Sequence, residues 1–368
     1  MFEERLALLY KDLEIPVSFP SRKVEAYRKV PLQAVASFSP TQKGSERLDL
    51  SKFPSSIVVL TMSEARKTYQ TFLENRVKQR KQRETDFFAA LAECVKEGGF
   101  FFYVPPNVQI EEPLEISYEY EGTGALFTPH IQVYVGRGAS VRFQFRPQFN
   151  NFESGMINQL IDIYLDRNSR CDWVDEALIS EKALYVNSVR MSLKKSAVLN
   201  YWNLSKGGSF YKQDYHAQLL EEGSEVSLKG AAILEGKRVS HTNVLIEHKA
   251  PNARSNQHFK AVMKDQSKSS FEGKIYVEPE AQQTLAYQLN NNLLLGEGSS
   301  CFSKPNLEIF ADDVKASHGS TVANLSQEEL FYFQARGISK EKASLYLASG
   351  FLDEIIKDIP AWHSIRNW

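Results

Sequence analysis

The sequence predicts a mainly β fold: a parallel β-helix, or β-solenoid, over residues 100–323, with helical segments at 1–99 and 324–368. Three observations carry this. From Phe100 onward the chain is rich in Val, Ile, Tyr, Phe and Thr in short alternating runs, among them HIQVYVG (130–136), SVRFQFR (140–146) and TNVLIEH (242–248). Period-two alternation of β-branched and aromatic residues is a strand signature. Small or polar turn clusters recur at Asn252-Ala253, Gln266-Ser267 and Glu280-Ala281, 14 residues apart, with another at Ser299-Ser300. A turn every 14 residues also suits a sandwich built of hairpins, but hairpin signals are scarce and no Asn-Gly or Asp-Gly follows residue 100, which favours the solenoid of the two. A chain that repeats strand, corner, strand at a steady pitch is a solenoid, because a rung that cannot bury its own apolar face shares one core with its neighbours.

The flanking elements follow in order. A strand is expected at 56–61 (SIVVLT), and Thr85 and Asp86 cap a helix through FFAALAECVKE that stops at Gly98-Gly99. Its apolar positions Phe87, Phe88, Leu91 and Val95 recur at helical spacing. Past residue 324, Ser326 and Glu329 form a capping box that opens a first helix ending near Gly337. Ser339 caps a second, KEKASLYLAS, stopped by Gly350, and Leu352, Ile355, Ile356 and Ile359 stripe a third that ends at Pro360. Helices this short need a surface to pack on.

Bulk chemistry narrows the function classes. With 44 basic and 45 acidic side chains the net charge is −1, which gives no nucleic-acid footprint. The basic run RVKQRKQR (76–83) reads as a solvated helix face. Three dispersed cysteines, Cys94, Cys171 and Cys301, form neither a CxxC pair nor a disulfide framework. The N-terminus has acids where a signal peptide needs bases, and no apolar run is long enough for a membrane span. The expectation is a soluble, cytoplasmic protein.

No catalytic constellation emerges. The nearest approach to a phosphate loop, Gly230–Arg238, has its glycines one residue too far apart and Arg238 where a hydroxyl is needed. His241 and His248 are seven apart, on opposite faces of a strand; with His258 they read as surface or corner histidines rather than a shared metal site. Glu308, Asp312 and Asp313 keep a β-helix carbohydrate-active lyase or hydrolase as an alternative, although an acidic pair before Lys is more often a turn or ion pair.

The run from Pro305 to Phe351, within KPNLEIFADDVKASHGSTVANLSQEELFYFQARGISKEKASLYLASGF, resembles the C-terminal signature of the SufB/SufD family. QLNNNLLLGEGS (288–299) and FYVPPNVQIEEPLEI (102–116) resemble family segments further upstream, and SRKVEAYRKVPL resembles an N-terminal family element with Tyr27 in place of Trp. The ADDVKxSHG form resembles the SufD branch, except that Ala316 stands where many of its members carry Cys. The resemblance implies a right-handed parallel β-helix that is not an enzyme. It implies a scaffold subunit of the SUF iron–sulfur cluster machine, pairing with SufB through the β-helix and binding the SufC ATPase. A SufB-like homodimer is the variant reading. It also implies that His318 is a ligand of a transient iron–sulfur cluster or iron at the SufB interface, with no cofactor held tightly by the isolated chain. The SufC surface is expected on the C-terminal helices, at Leu330, Phe331, Phe333, Arg336, Leu345, Leu352, Ile355 and Ile356.

Overall fold

The structure, a computed structural model, describes residues 2–11, 13–21, 23–24, 27–73, 84–95 and 98–359. The basic run at 76–83 lies outside them. From Phe100 to Asn324 the chain winds as a β-solenoid of about eight turns. Successive strands alternate between two sheets, and within each sheet every second strand pairs in parallel. Arg170, Val198, Glu225, Arg254 and Leu285 stand one above another, a climb of about 28 residues per turn. The 14-residue spacing read from the turn clusters is therefore half a turn: one strand and one corner.

The corners explain the turn residues. Asn107, Gly138, Asn168, Ser196, Gly223, Asn252 and Gln283 all have positive φ and stack along one edge of the coil. Each donates its backbone N–H to a carbonyl one turn further on, as Asn168 does to Lys195 and Asn252 to Gln282. Only Gly, and to a lesser degree Asn, adopts this conformation cheaply. The next residue turns inward into a tight space, so it is small: Ala139, Ser169, Ala197, Ser224, Ala253 and Thr284 are all buried. Where it bears a hydroxyl, that group caps the corner, as Ser169 Oγ does by donating to the Asp166 carbonyl at 2.6 Å.

Inward-facing residues of both sheets make one continuous core. Phe143, Trp173 and Tyr201 lie in register on successive turns, the last two rings stacked 6.3 Å apart. Neither His241 nor His248 lies on the surface, contrary to the sequence reading: both are fully buried. They do occupy opposite faces. His241 bonds Ser270 Oγ at 2.7 Å on the outer face, while His248 sits among the core residues and bonds Ser255 Oγ at 2.8 Å. Burial pulls the His248 imidazole down to about 4. Because its unfolded value is near 6.5, the native state loses stability as pH falls from about 6.5 to about 4. His248→Gln should remove roughly 2 to 3 kcal/mol of that acid sensitivity, read as denaturation midpoints across the window; equal slopes for both proteins would refute this.

The N-terminal segment covers the outside of one sheet. Phe2, Leu6, Tyr27, Phe87, Phe88, Leu91 and Val95 pack on Leu126, Met156, Val186 and Phe210. The expected strand is shorter, Val58–Thr61, and pairs antiparallel with Phe100–Val104. The helix Phe87–Cys94 is capped by Asp86 alone, whose Oδ1 accepts from the Ala89 N–H at 2.9 Å. It ends at Cys94, short of the glycine pair. Gly99 is instead required where the chain crosses the backbone of His130, too close for a Cβ.

Among the described residues the C-terminal segment forms two helices, not three, and the second covers the outside of the other sheet. Gln327–Gln334 is capped by Ser326, and Lys340–Ile356 runs unbroken through Gly350. A glycine inside a helix costs about 1 kcal/mol. That is less than the gain from laying Ala348, Leu352, Ile355 and Ile356, with Ile359 beyond the helix end, on Val174, Trp202, Leu204, Ala231, Val262 and Leu293. Lys260 fastens the helix further, donating to the Phe351 carbonyl at 2.9 Å and to Glu354 Oε2.

Candidate functional site: the open terminal rung

The two ends of the solenoid differ. The first is closed by short antiparallel strands, Val58–Thr61 against Phe100–Val104 and Glu46–Arg47 against Leu114–Tyr120. The last rung, Ser300–Ile309 and Val314–Asn324, pairs only backward, with Lys268–Val277 and Thr284–Leu294. Among the described residues no strand pairs with its outer edge, so two strands present unpaired ladder groups side by side. Uncovered edges are templates for pairing with another chain. Exposed apolar side chains cluster around this end: Tyr287, Leu289, Phe310 and Val322.

His318 lies in the middle of the last strand and is exposed. Its register partner one turn back is Gln288, and Gln288 is in turn paired with Gln257. Val314 and Ala316, of the same parity, pack with the buried Ile275 and Ala286, so His318 belongs to the row that faces the β-helix interior. It stands at the open mouth of the coil, above a polar file in which Gln288 Nε2 donates to Gln257 Oε1 at 2.8 Å. Asn290, Asn292 and Ser303 complete this mouth, with Ser303 Oγ donating to Asn290 Oδ1 at 2.8 Å and Asn292 Nδ2 to the same oxygen at 2.7 Å. The sequence reading passed over these amides. Their signal was the alternation in QLNNNLLL, which sends three consecutive inward positions, Gln288, Asn290 and Asn292, to amides.

The mouth offers one imidazole and several neutral amides, and among the described residues no group of three His, Cys, Asp or Glu side chains could hold a metal ion. Cys301 lies on the same rung but packs with Leu234, Ala261 and Met263, and burial pushes its thiol up to about 12. A thiol held in that state is a poor ligand. Among the described residues, His318 thus has no set of partner ligands within its own chain with which to hold a metal. In the acidic stretch, Glu308 is paired with Lys274 at 2.6 Å, and the Asp313 N–H donates to Gln282 Oε1 at 2.9 Å in a corner.

Burial divides the residues assigned to ATPase docking. Leu330, Leu352, Ile355 and Ile356 are buried, the last three against the solenoid; they are internal packing and not a docking face, because an amphipathic stripe alone does not say which surface it meets. Phe331 and Leu345 are exposed at 70% and 47%, and Tyr332 and Tyr346, missed in the sequence, at 55% and 57%. Phe333 is partly covered and meets the Tyr346 ring at a tilt, centroids 6.2 Å apart, while Arg336 lies over the Tyr332 ring at 3.5 Å.

Residues 118–351 match the family model described as the SUF system FeS cluster assembly, SufBD core domain, and residues 38–116 match the SufBD protein N-terminal region. The chain belongs to the SufBD family. An iron–sulfur cluster assembly SufBD family protein of Synechocystis, slr0076, is 27% identical over 275 residues, covering 70% of this chain and 59% of that protein. The chloroplastic protein ABCI7 of Arabidopsis thaliana is 28% identical over 273 residues, covering 70% of this chain and 56% of that protein. The iron–sulfur cluster assembly protein SufD of Escherichia coli is 34% identical over 155 residues, covering 41% of this chain and 37% of that protein. The chain thus spans somewhat more than half the length of the first two. Both the open rung and the solenoid face under the C-terminal helix fall inside the SufBD core match.

Proposed function

We propose that this SufBD chain is a SufD-type scaffold subunit of cytoplasmic SUF iron–sulfur cluster assembly, with no catalytic chemistry of its own. Its open terminal rung pairs with a SufB-type paralogue, and iron or a nascent cluster is carried transiently at that junction. The observation that supports this most directly is an uncovered two-strand edge bearing an exposed, inward-row histidine in a chain of this family. A neutral imidazole is a good ligand for iron, and a facing chain supplies the thiolates or carboxylates this mouth lacks. A homodimer through the same edge is the second reading, because that edge does not itself distinguish a copy from a paralogue. Co-expression with SufB- and SufC-type proteins of the same host, followed by mass measurement of the purified complex, tests it. A heteromer containing all three is expected; a chain that elutes alone or as a homodimer contradicts it.

The ATPase surface in this reading is the exposed aromatic face of the C-terminal helices. Helix faces with aromatic anchors are a common recognition mode. Phe331→Ala with Tyr346→Ala should weaken SufC capture by about a hundredfold or more while leaving the denaturation midpoint unchanged. Unchanged capture would place the docking surface elsewhere. Deleting 326–368 is a poorer test, since it would bare Trp202, Leu204 and Val262.

A further inference from the structure

Polar side chains cross-brace the β-helix interior at mid-length. Gln159, Asn187 and Gln213 stand in register on one sheet, and Asp175 and Asn203 on the other. Gln159 Nε2 donates to Asn187 Oδ1 at 3.1 Å, and Asn187 Nδ2 to Asp175 Oδ2 at 3.1 Å. Asn203 donates from Nδ2 to the same Asp175 oxygen at 3.0 Å, and its Oδ1 accepts from Gln213 Nε2 at 2.6 Å. The Tyr201 hydroxyl is the third donor to Asp175 Oδ2, also at 3.0 Å.

The other oxygen of that carboxyl, Oδ1, is buried without a hydrogen-bond partner among the described residues, and so are two donors close by. One is Trp173 Nε1, two residues back on the same inward face, its ring stacked on Tyr201 at 6.3 Å. The other is the Tyr215 hydroxyl, whose ring meets Tyr201 edge-on at 5.5 Å. None of these side chains is more than 1% exposed. Buried polar atoms are rarely left without partners, and a group of them in one place points to a bound species.

We propose that this cluster is an internal water-binding site, in which one water accepts from Tyr215 and Trp173 and donates to Asp175 Oδ1. The stereochemistry selects the ligand. Two open donors and one open acceptor match the roughly three hydrogen bonds of a buried water. An anion would face the Asp175 carboxyl, and a hard cation needs six or more oxygen ligands where the indole offers an N–H. The water completes the brace between the two sheets by satisfying the second oxygen of its central carboxyl.

The test pairs a crystal structure of the full chain, at a resolution that shows ordered water, with the folding equilibrium of Tyr215→Phe. That substitution keeps the ring and its packing. Expected are density within hydrogen-bonding distance of both Asp175 Oδ1 and the Tyr215 hydroxyl, and a folding constant about tenfold lower for the variant. A dry cluster, with Tyr215→Phe neutral or stabilising because it removes only an unpartnered hydroxyl, would overturn the proposal.

Discussion

Phe310→Asp combined with Val322→Lys should abolish the proposed pairing with a SufB-type paralogue while leaving this chain folded. Both side chains border the open rung and are largely exposed, Phe310 at 58% and Val322 at 48%. Their replacement therefore removes little that holds the monomer together, within about 0.5 kcal/mol each. At an interface the same changes delete an aromatic anchor and place charges along a pairing edge, the device that natural sheets use to stay apart. A loss of affinity on the order of a hundredfold or more is expected. Titration of labelled chain against purified paralogue measures it, with the denaturation midpoint as the control for folding.

Lys212→Met should be the most destabilising single change outside the apolar core. Lys212 is 1% exposed, and its Nζ lies 3.0 Å from Asp86 Oδ2 and 3.7 Å from Asp214 Oδ1. Burial pushes the Asp214 carboxyl up, but the charges of Lys212 and Arg190 outweigh it and hold the group well below the ordinary carboxylate range. Asp86 also caps the helix Phe87–Cys94 and accepts from the Tyr27 hydroxyl, so one ammonium ties two N-terminal segments to the solenoid. Removing it leaves two buried carboxylates to share Arg190, which itself holds Glu84 at 2.8 Å. Breaking a buried pair from one side costs about 3 to 5 kcal/mol. Chemical denaturation should show that loss, together with early proteolysis of the N-terminal segment; a loss below about 1 kcal/mol would mean that the segment is held by its apolar packing alone.

The solenoid was legible because its two constraints are local. Alternation fixes which side chains turn inward, and the left-handed corner fixes Asn, Gly or a small polar residue about every half turn. Neither depends on what lies far away in sequence. The misreadings arise where distant segments decide. Gly350 reads as a stop until the sheet that Leu352 and Ile355 pack on is known. His248 reads as a surface or corner residue until the next turn brings Thr284, 36 positions on, against its ring. The ion network of Glu84, Asp86, Arg190, Lys212 and Asp214 joins residues more than a hundred positions apart, and single-sequence patterns carry no trace of such pairings. At the terminal rung the order was reversed. The family resemblance singled out His318, and the fold then set it over Gln288 at the mouth of the coil, a position that no periodicity gives.

The most direct measurement is cluster formation in the assembled complex carrying His318→Ala. The side chain is exposed, and among the described residues it takes part in no hydrogen bond or ion pair, so its loss should leave both the chain and the assembly intact. Mass measurement establishes that the complex has formed, and visible absorbance with iron and sulfide analysis counts the clusters made. A complex of unchanged composition that assembles less than about a tenth of the wild-type cluster is expected, since a missing metal ligand or its support typically costs ten- to a hundredfold. Wild-type cluster yield from an intact His318→Ala complex would contradict the assignment of the open rung as the place where the cluster is held.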